Sequence, residues 1–209
     1  MHQNKNPLLI IVGMAGSGKS SIARHLEKKG WRAIRFGALT MRELGSRHLS
    51  INEANEKAVR EELRAKHGMD AYARLLLPAI VESLSVGPTV IDGLYSWAEY
   101  KFLKGHFGDQ MKVVAIYTTR SVRYARLSQR AERPLSFEEA EQRDYAEIEN
   151  VEKGGPIAMA DYTLVNDSTE ADLFKAVDKL LSTLYTASWK SFSTFPGGDR
   201  ERFRRGEIP

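Results

Sequence analysis

The chain has 209 residues, is 42% hydrophobic and 28% charged, and contains no cysteine. That length is one domain with a sizeable core, and the missing cysteines exclude a disulfide scaffold, a thiolate zinc site and a cysteine nucleophile. The net charge of +4 is mild, and no charge-free apolar run approaches the ~18 residues of a membrane span. The start is polar, and the five apolar residues Leu8 to Val12 are too few for a signal peptide, so the expectation is a soluble, cytoplasmic protein with no membrane contact.

Leu8 to Val12 reads as a buried strand ended by Gly13, and Ser20 to Lys29 as a helix with Ile22 and Leu26 inward. Ala33 to Phe36 is a weaker strand. Residues 38–85 are helical by pattern, with a capping box at Ser50-Ile51-Asn52-Glu53 and breaks at His67-Gly68 and Val86-Gly87-Pro88. Thr89 to Ile91 is a strand, and Ser96-Trp97-Ala98-Glu99 opens a short helix. Lys112 to Thr118 is a strand, and Ser121 to Ala131 a helix that stops before Pro134. Ser136-Phe137-Glu138-Glu139 caps a helix running toward Glu152, Tyr162 to Val165 is the last strand, and Glu170 to Tyr185 the last helix. Strands alternating with helices predict an α/β fold, a parallel sheet covered on both faces, with ligands beyond the carboxyl ends of the strands.

The strongest chemical signal is Gly13-Met14-Ala15-Gly16-Ser17-Gly18-Lys19-Ser20, which fits G-x-x-x-x-G-K-[ST] between a strand and a helix. Glycines there let backbone N–H groups converge on phosphate oxygens, and the helix N-terminus adds its dipole. Gly13, Ala15, Gly16, Ser17, Gly18, Lys19, Ser20 and Ser21 are the expected nucleotide contacts. Lys19 is expected at the β- and γ-phosphates of ATP and the Ser20 hydroxyl on Mg²⁺. Asp92, in Val90-Ile91-Asp92-Gly93 at a strand's carboxyl end, is placed to hold the Mg²⁺ shell or to take a proton from a substrate hydroxyl. Asp-Gly is also a common turn dipeptide.

Arg123, Arg126 and Arg130 fall at i, i+3, i+7 on one helix face, with Arg133 just beyond. Clustered guanidinium groups repel one another unless an anion neutralises them, and a transferring phosphoryl group is such an anion. Arg126, Arg130 and Arg133 therefore join Lys19 and Asp92 as the catalytic candidates. A solvated face with Glu132, Glu138 and Glu139 as counterions is the plainer alternative. Nucleic acid is a poor fit, because only Tyr124 interleaves the basic residues.

Together the phosphate loop, the Asp92-Gly93 pair, the arginine helix and the basic turn after it resemble the P-loop nucleoside-monophosphate-kinase fold. Ala160-Asp161-Tyr162-Thr163-Leu164-Val165-Asn166-Asp167 resembles the last strand of dephospho-CoA kinases. Over about residues 7–186 the chain is similar to an adenylate-kinase-related, dephospho-CoA-kinase-like family typical of archaea. The resemblance implies a five-stranded parallel sheet ordered 2-3-1-4-5, a lid at about 130–139 and acceptor-binding helices at about 38–85. These parts form a P-loop kinase domain over 1–186. It also implies that Arg42 holds the acceptor's phosphate. The chain departs from those relatives at Gly37-Ala38, where they carry Gly-Asp, and at Leu94-Tyr95-Ser96, where they carry an arginine; Arg74 is the candidate substitute.

The implied activity is transfer of the γ-phosphate of Mg-ATP to a small nucleotide acceptor. A nucleoside monophosphate is preferred, because a phosphate acceptor needs no general base and the stretch Phe36 to Met41 has no acid. Dephospho-CoA, accepting through a hydroxyl with Asp92 as base, is the alternative. A different class, an ATP-hydrolysing switch acting through a partner, needs no acceptor pocket and would leave Arg42 and Arg74 facing solvent. The five histidines show no metal-ligand spacing. Residues 187–209 read as a C-terminal extension, with Trp189, Phe192, Phe195 and Phe203 among Lys190, Arg200, Arg202, Arg204 and Arg205. It is either surface-packed or a partner contact, and the sequence leaves the oligomeric state open.

Overall fold

The computed structural model describes residues 6–185; the expected extension at 187–209 lies outside the described residues. The elements run β1 (Leu8–Val12), α1 (Lys19–Lys28), β2 (Arg32–Arg35), α2 (Gly37–Ser46), α3 (Glu53–His67), α4 (Ala71–Val86) and β3 (Thr89–Asp92). They continue α5 (Trp97–Phe107), β4 (Met111–Tyr117), α6 (Arg120–Ser128), α7 (Phe137–Glu149), α8 (Gly154–Ala158), β5 (Tyr162–Val165) and α9 (Glu170–Leu184). All neighbouring strands are parallel, in the order β2-β3-β1-β4-β5. This is the architecture expected from the sequence. The chain leaves β1 toward β2 on one side and reaches β4 on the other, so the crevice opens above the carboxyl end of β1.

The all-apolar β1 is buried on both faces. Leu8, Ile10 and Val12 pack on one side against Phe36, Tyr72, Ile80 and Leu103, while Leu9 and Ile11 pack on the other against Ile22, Leu26, Leu173 and Val177. The period-2 alternation of a strand thus sends one short run into two cores. No described helix is long and apolar enough to cross a membrane.

Three local expectations change. Asn52, rather than Ser50, caps α3: its side chain accepts from the Asn55 backbone N–H at 2.9 Å, while Ser50 accepts from the Asn55 side chain. α6 ends at Ser128, three residues short of Ala131, and Leu135 N–H returns to the Leu127 carbonyl through a turn in which Arg133 has φ +53°. The periodicity gave no sign of α8, whose Gly154-Gly155-Pro156 start disfavours a helix. Gly155 is used there for close approach: a Cβ on it would lie 2.9 Å from the Trp97 ring.

The capping boxes at Ser96 and Ser136 both form. The first is buried. Glu99 Oε2 accepts from the N–H groups of Tyr95 and Ser96 at 2.8 and 3.1 Å, while Oε1 has no hydrogen-bond partner among the described residues. Burial outweighs these bonds and raises the Glu99 carboxyl from 4.5 to about 7. The folded chain therefore holds this proton more tightly than the unfolded chain. The associated stability is complete below about pH 4.5 and is lost as pH rises through 7. Glu99→Gln keeps a neutral acceptor at every pH. Its melting temperature relative to wild type should climb between pH 4.5 and 7 and then level off; a difference flat across that range would contradict the assignment.

Candidate active site

The strand-to-helix turn after β1 carries the phosphate-loop residues. Gly16 and Gly18 sit at φ +80° and +101°, which only glycine adopts without strain. A Cβ on Gly16 would stand 2.8 Å from the Arg123 carbonyl oxygen, and one on Gly18 would collide with the Asn166 amide. The loop is thus backbone packed on its supports, leaving its inner side to a cradle of N–H groups. Lys19 reaches back across it, donating to the carbonyls of Gly13 and Met14 at 2.8 and 2.9 Å. Burial, reinforced by Lys153, pulls the Lys19 amine down to about 7, against Glu147 and Asp92, which favour its charge.

The loop forms one end of a cleft of about 1300 Å³. Of the expected nucleotide contacts, Ala15, Gly16, Gly18, Lys19, Ser20 and Ser21 line it; Gly13 and Ser17 lie behind them, buried. Asp92 lines it too. It is nearly buried at the end of β3, beside Ile11 in the register, and its carboxylate makes no hydrogen bond or ion pair among the described residues. No cluster of three or more His, Cys, Asp or Glu residues occurs among the described residues. Ser20 and Asp92 fit a Mg²⁺ ion, which needs only one or two protein oxygens when phosphates supply the others.

The arginine helix divides in two. Arg126, Arg130 and Arg133 line the cleft. Arg126 is engaged by the carbonyls of Asn166 and Ser168 at 2.9 and 3.2 Å, and Arg133 by Glu56. Arg130 has no ion-pair partner among the described residues, and desolvation together with Arg143 and Arg133 disfavours its charge. Arg123, expected on the same face, turns the other way. It is buried in a bidentate pair with Asp144 of α7, at 3.0 and 2.6 Å, and donates to the Ala15 carbonyl at 3.1 Å. Tyr124 completes this knot on Asp144, which ties α7 to the phosphate loop.

Arg42 and Arg74 do not reach the cleft. Arg42 is exposed on α2, on the side away from buried Leu39, Thr40 and Leu44. Arg74 is exposed on α4, paired with Asp70 at 2.8 Å and laid over the Phe102 ring. The sequence could not orient them, because α2 and α4 rotate their inner faces toward Phe36 and Tyr72. This is the orientation that a switch would have. The cleft nevertheless has a cationic lining from other residues, with Arg60 and Arg64 on α3 and Arg143 on α7.

The spacing 143, 146, 147, 150 on α7 was the available signal for part of that lining, and all four residues line the cleft. Arg143 bonds Glu147 and Glu53, both at 3.3 Å. Lys153, 1% exposed, donates to Glu147 at 2.6 Å and lies over the Tyr95 ring. Although burial opposes it, Lys153 and Arg143 hold the Glu147 carboxyl down at about 2. Nothing local in the sequence marked Lys153, which arrives through the turn after α7. Removing one partner of a buried bidentate pair strands a charge, so Asp144→Ala should lower the unfolding free energy by about 3–5 kcal/mol. Urea denaturation with an unchanged slope checks this; a loss below about 1 kcal/mol would show that the knot does not anchor α7.

Residues 9–147 match the AAA domain family. The chain is 35% identical over 185 residues to UPF0200 protein TK1334 of Thermococcus kodakarensis, covering 85% of this chain and 100% of that one. Among solved structures, TT1252 from Thermus thermophilus is similar with a TM-score of 0.61 at 20% identity, covering 87% of this chain and 99% of that one. A shikimate kinase from Bacteroides thetaiotaomicron is similar with a TM-score of 0.56 at 15% identity, covering 85% and 98%. A glycine cradle closing on Lys19 at the end of a central parallel strand, in the sheet order β2-β3-β1-β4-β5, is a P-loop kinase-like fold; the chain belongs to the UPF0200 family.

Proposed function

We propose that the chain is a phosphotransferase that moves the γ-phosphate of Mg-ATP to a small anionic acceptor, a nucleoside monophosphate being the favoured class. The observation that carries this reading is the composition of one cleft. A phosphate cradle with Lys19, guanidinium groups from α3, α7 and the turn after α6, and Asp92 all line it. A protein that only bound and hydrolysed ATP has no use for so many cations beyond the phosphate loop.

In this reading Lys19 holds the β- and γ-phosphates, and Ser20 and Asp92 hold Mg²⁺, which neutralises charge on the phosphate oxygens. Arg130, the lid cation with no carboxylate partner, meets the charge that builds on the transferring group, and Arg126 and Arg133 flank it. The acceptor's class follows from how the carboxylates are engaged. Glu53 and Glu56 are bound to arginines and Glu147 to Lys153, so Asp92 is the acid best placed for chemistry. One carboxylate serving the metal leaves none as general base, which suits a phosphate acceptor and disfavours a hydroxyl.

The test is transfer from labelled ATP across nucleoside monophosphates, dephospho-CoA and no acceptor. Transfer to one nucleotide class is expected, with Lys19→Ala lowering kcat by roughly 10²-fold or more. Transfer to dephospho-CoA would make Asp92 the base. Slow phosphate release indifferent to every acceptor, or an undiminished rate in Lys19→Ala, would overturn the assignment.

A further inference from the structure

Charge pairing sorts the arginines of the cleft. Arg60 is bound by Glu53 and Glu56, Arg133 by Glu56, and Arg143 by Glu53 and Glu147. Four arginines of the lining have no carboxylate within ion-pair distance among the described residues. Arg24 bonds the Ser21 hydroxyl and Arg126 bonds backbone carbonyls, which leaves exposed Arg130 in the lid turn and half-buried Arg64 on α3. Arg64 is held in place. Its guanidinium carbon lies 5.4 Å above the ring of the fully buried Tyr72, and its Nε is out of solvent with no hydrogen-bond partner among the described residues. Tyr72 is itself fixed, through a 2.7 Å hydrogen bond between its hydroxyl and Thr40 and through edge packing on Tyr95. The floor beneath Arg64 is therefore rigid.

A buried guanidinium edge without an acceptor is costly unless something supplies one. A planar fork seated on an aromatic ring is preorganised for oxygens presented in a plane, as a phosphomonoester presents them. Glu99, although close enough to Arg64 for its charge to be felt, is bound to the backbone of Tyr95 and Ser96 and makes no ion pair with it.

We propose that Arg64, seated on Tyr72, is the specificity-determining residue for the acceptor: it grips the phosphate of a nucleoside monophosphate within the cleft that Lys19 also lines. This rests on the phosphotransferase reading and fills the role that Arg42 and Arg74 cannot. Arg60, already bound by Glu53 and Glu56 of α3, is a positioning residue that keeps these two carboxylates away from Arg64.

The experiment is titration calorimetry of the full chain with AMP, CMP, GMP and UMP, each at saturating AMP-PNP and Mg²⁺, for wild type, Arg64→Met and Arg64→Lys. Methionine keeps the apolar stem over Tyr72 and removes the charge. Lys66→Gln, on the outward side of α3, controls for net charge. At least one monophosphate should bind wild type, and Arg64→Met should weaken it roughly tenfold or more. Arg64→Lys should fall between, and the AMP-PNP affinity and Lys66→Gln should match wild type. In turnover assays KM for the acceptor should rise while kcat moves little. Acceptor affinity within twofold of wild type in Arg64→Met, a parallel loss of AMP-PNP affinity, or no monophosphate bound by wild type would each overturn the proposal. Binding lost in Arg64→Met without transfer to any acceptor would instead remove the phosphotransferase reading and keep Arg64 as an anion site.

Discussion

A methyl group on Gly13 would lie 2.6 Å from the carbonyl oxygen of Ile116 on β4, and one on Gly16 would lie 2.8 Å from that of Arg123 on α6. The phosphate loop is thus clamped between the central strand, its neighbour and the arginine helix with no room for side chains. Much else in the site depends on that clamp. Because the loop is tight, its N–H groups converge on one small volume, and Lys19 can fold back onto the carbonyls of Gly13 and Met14. Asn166, at the end of β5, closes the same loop from the other side by donating to the Ser17 carbonyl at 2.8 Å. The carboxyl ends of three parallel strands are thereby tied to one turn.

Electrostatics builds outward from there. The cleft is lined by more cations than carboxylates, and Glu53, Glu56 and Glu147 each fix particular arginines or a lysine, while Asp92 makes no ion pair among the described residues. Arg123 and Asp144 form the buried member of this series. They place the first arginine of the i, i+3, i+7 series in an ion pair that holds α7 against the loop. The yield is a helix whose Arg143 and Glu147 line the same cleft as Lys19. Glu53 and Glu56 then bridge α3 to the lid turn and to α7. Helix α3, the turn after α6 and α7 are thus linked by ion pairs across the cleft.

Legibility in the sequence followed the range of the interaction. Strand β1 and the phosphate loop are local: five apolar residues followed by a glycine spacing that few other structures need. Ser96 and Ser136 were readable as caps because a capping box spans four residues. The cap of α3 slipped by two residues, since both Ser50 and Asn52 offer an oxygen and only the path of the chain chooses between them. The arginines were readable as a group and unreadable one by one. A spacing of i, i+3, i+7 says that Arg123, Arg126 and Arg130 share a face, but α6 ends at Ser128, so Arg130 leaves the helix and Arg123 alone turns into the core.

By itself the sequence determined the parallel α/β sheet, its strand order through the family resemblance, and the glycine loop whose Lys19 and Ser20 line the cleft. These follow from periodicity, turn chemistry and one short motif, all set within a few residues of chain. The tertiary structure decided which charges are free. Arg42 and Arg74 face outward, Arg133 and Arg143 are held by carboxylates of α3, and Lys153 enters the cleft through a turn that no pattern marks. Partners separated by up to 90 positions in the chain meet only when the helices pack, and a side chain's availability to a substrate is a property of those partners.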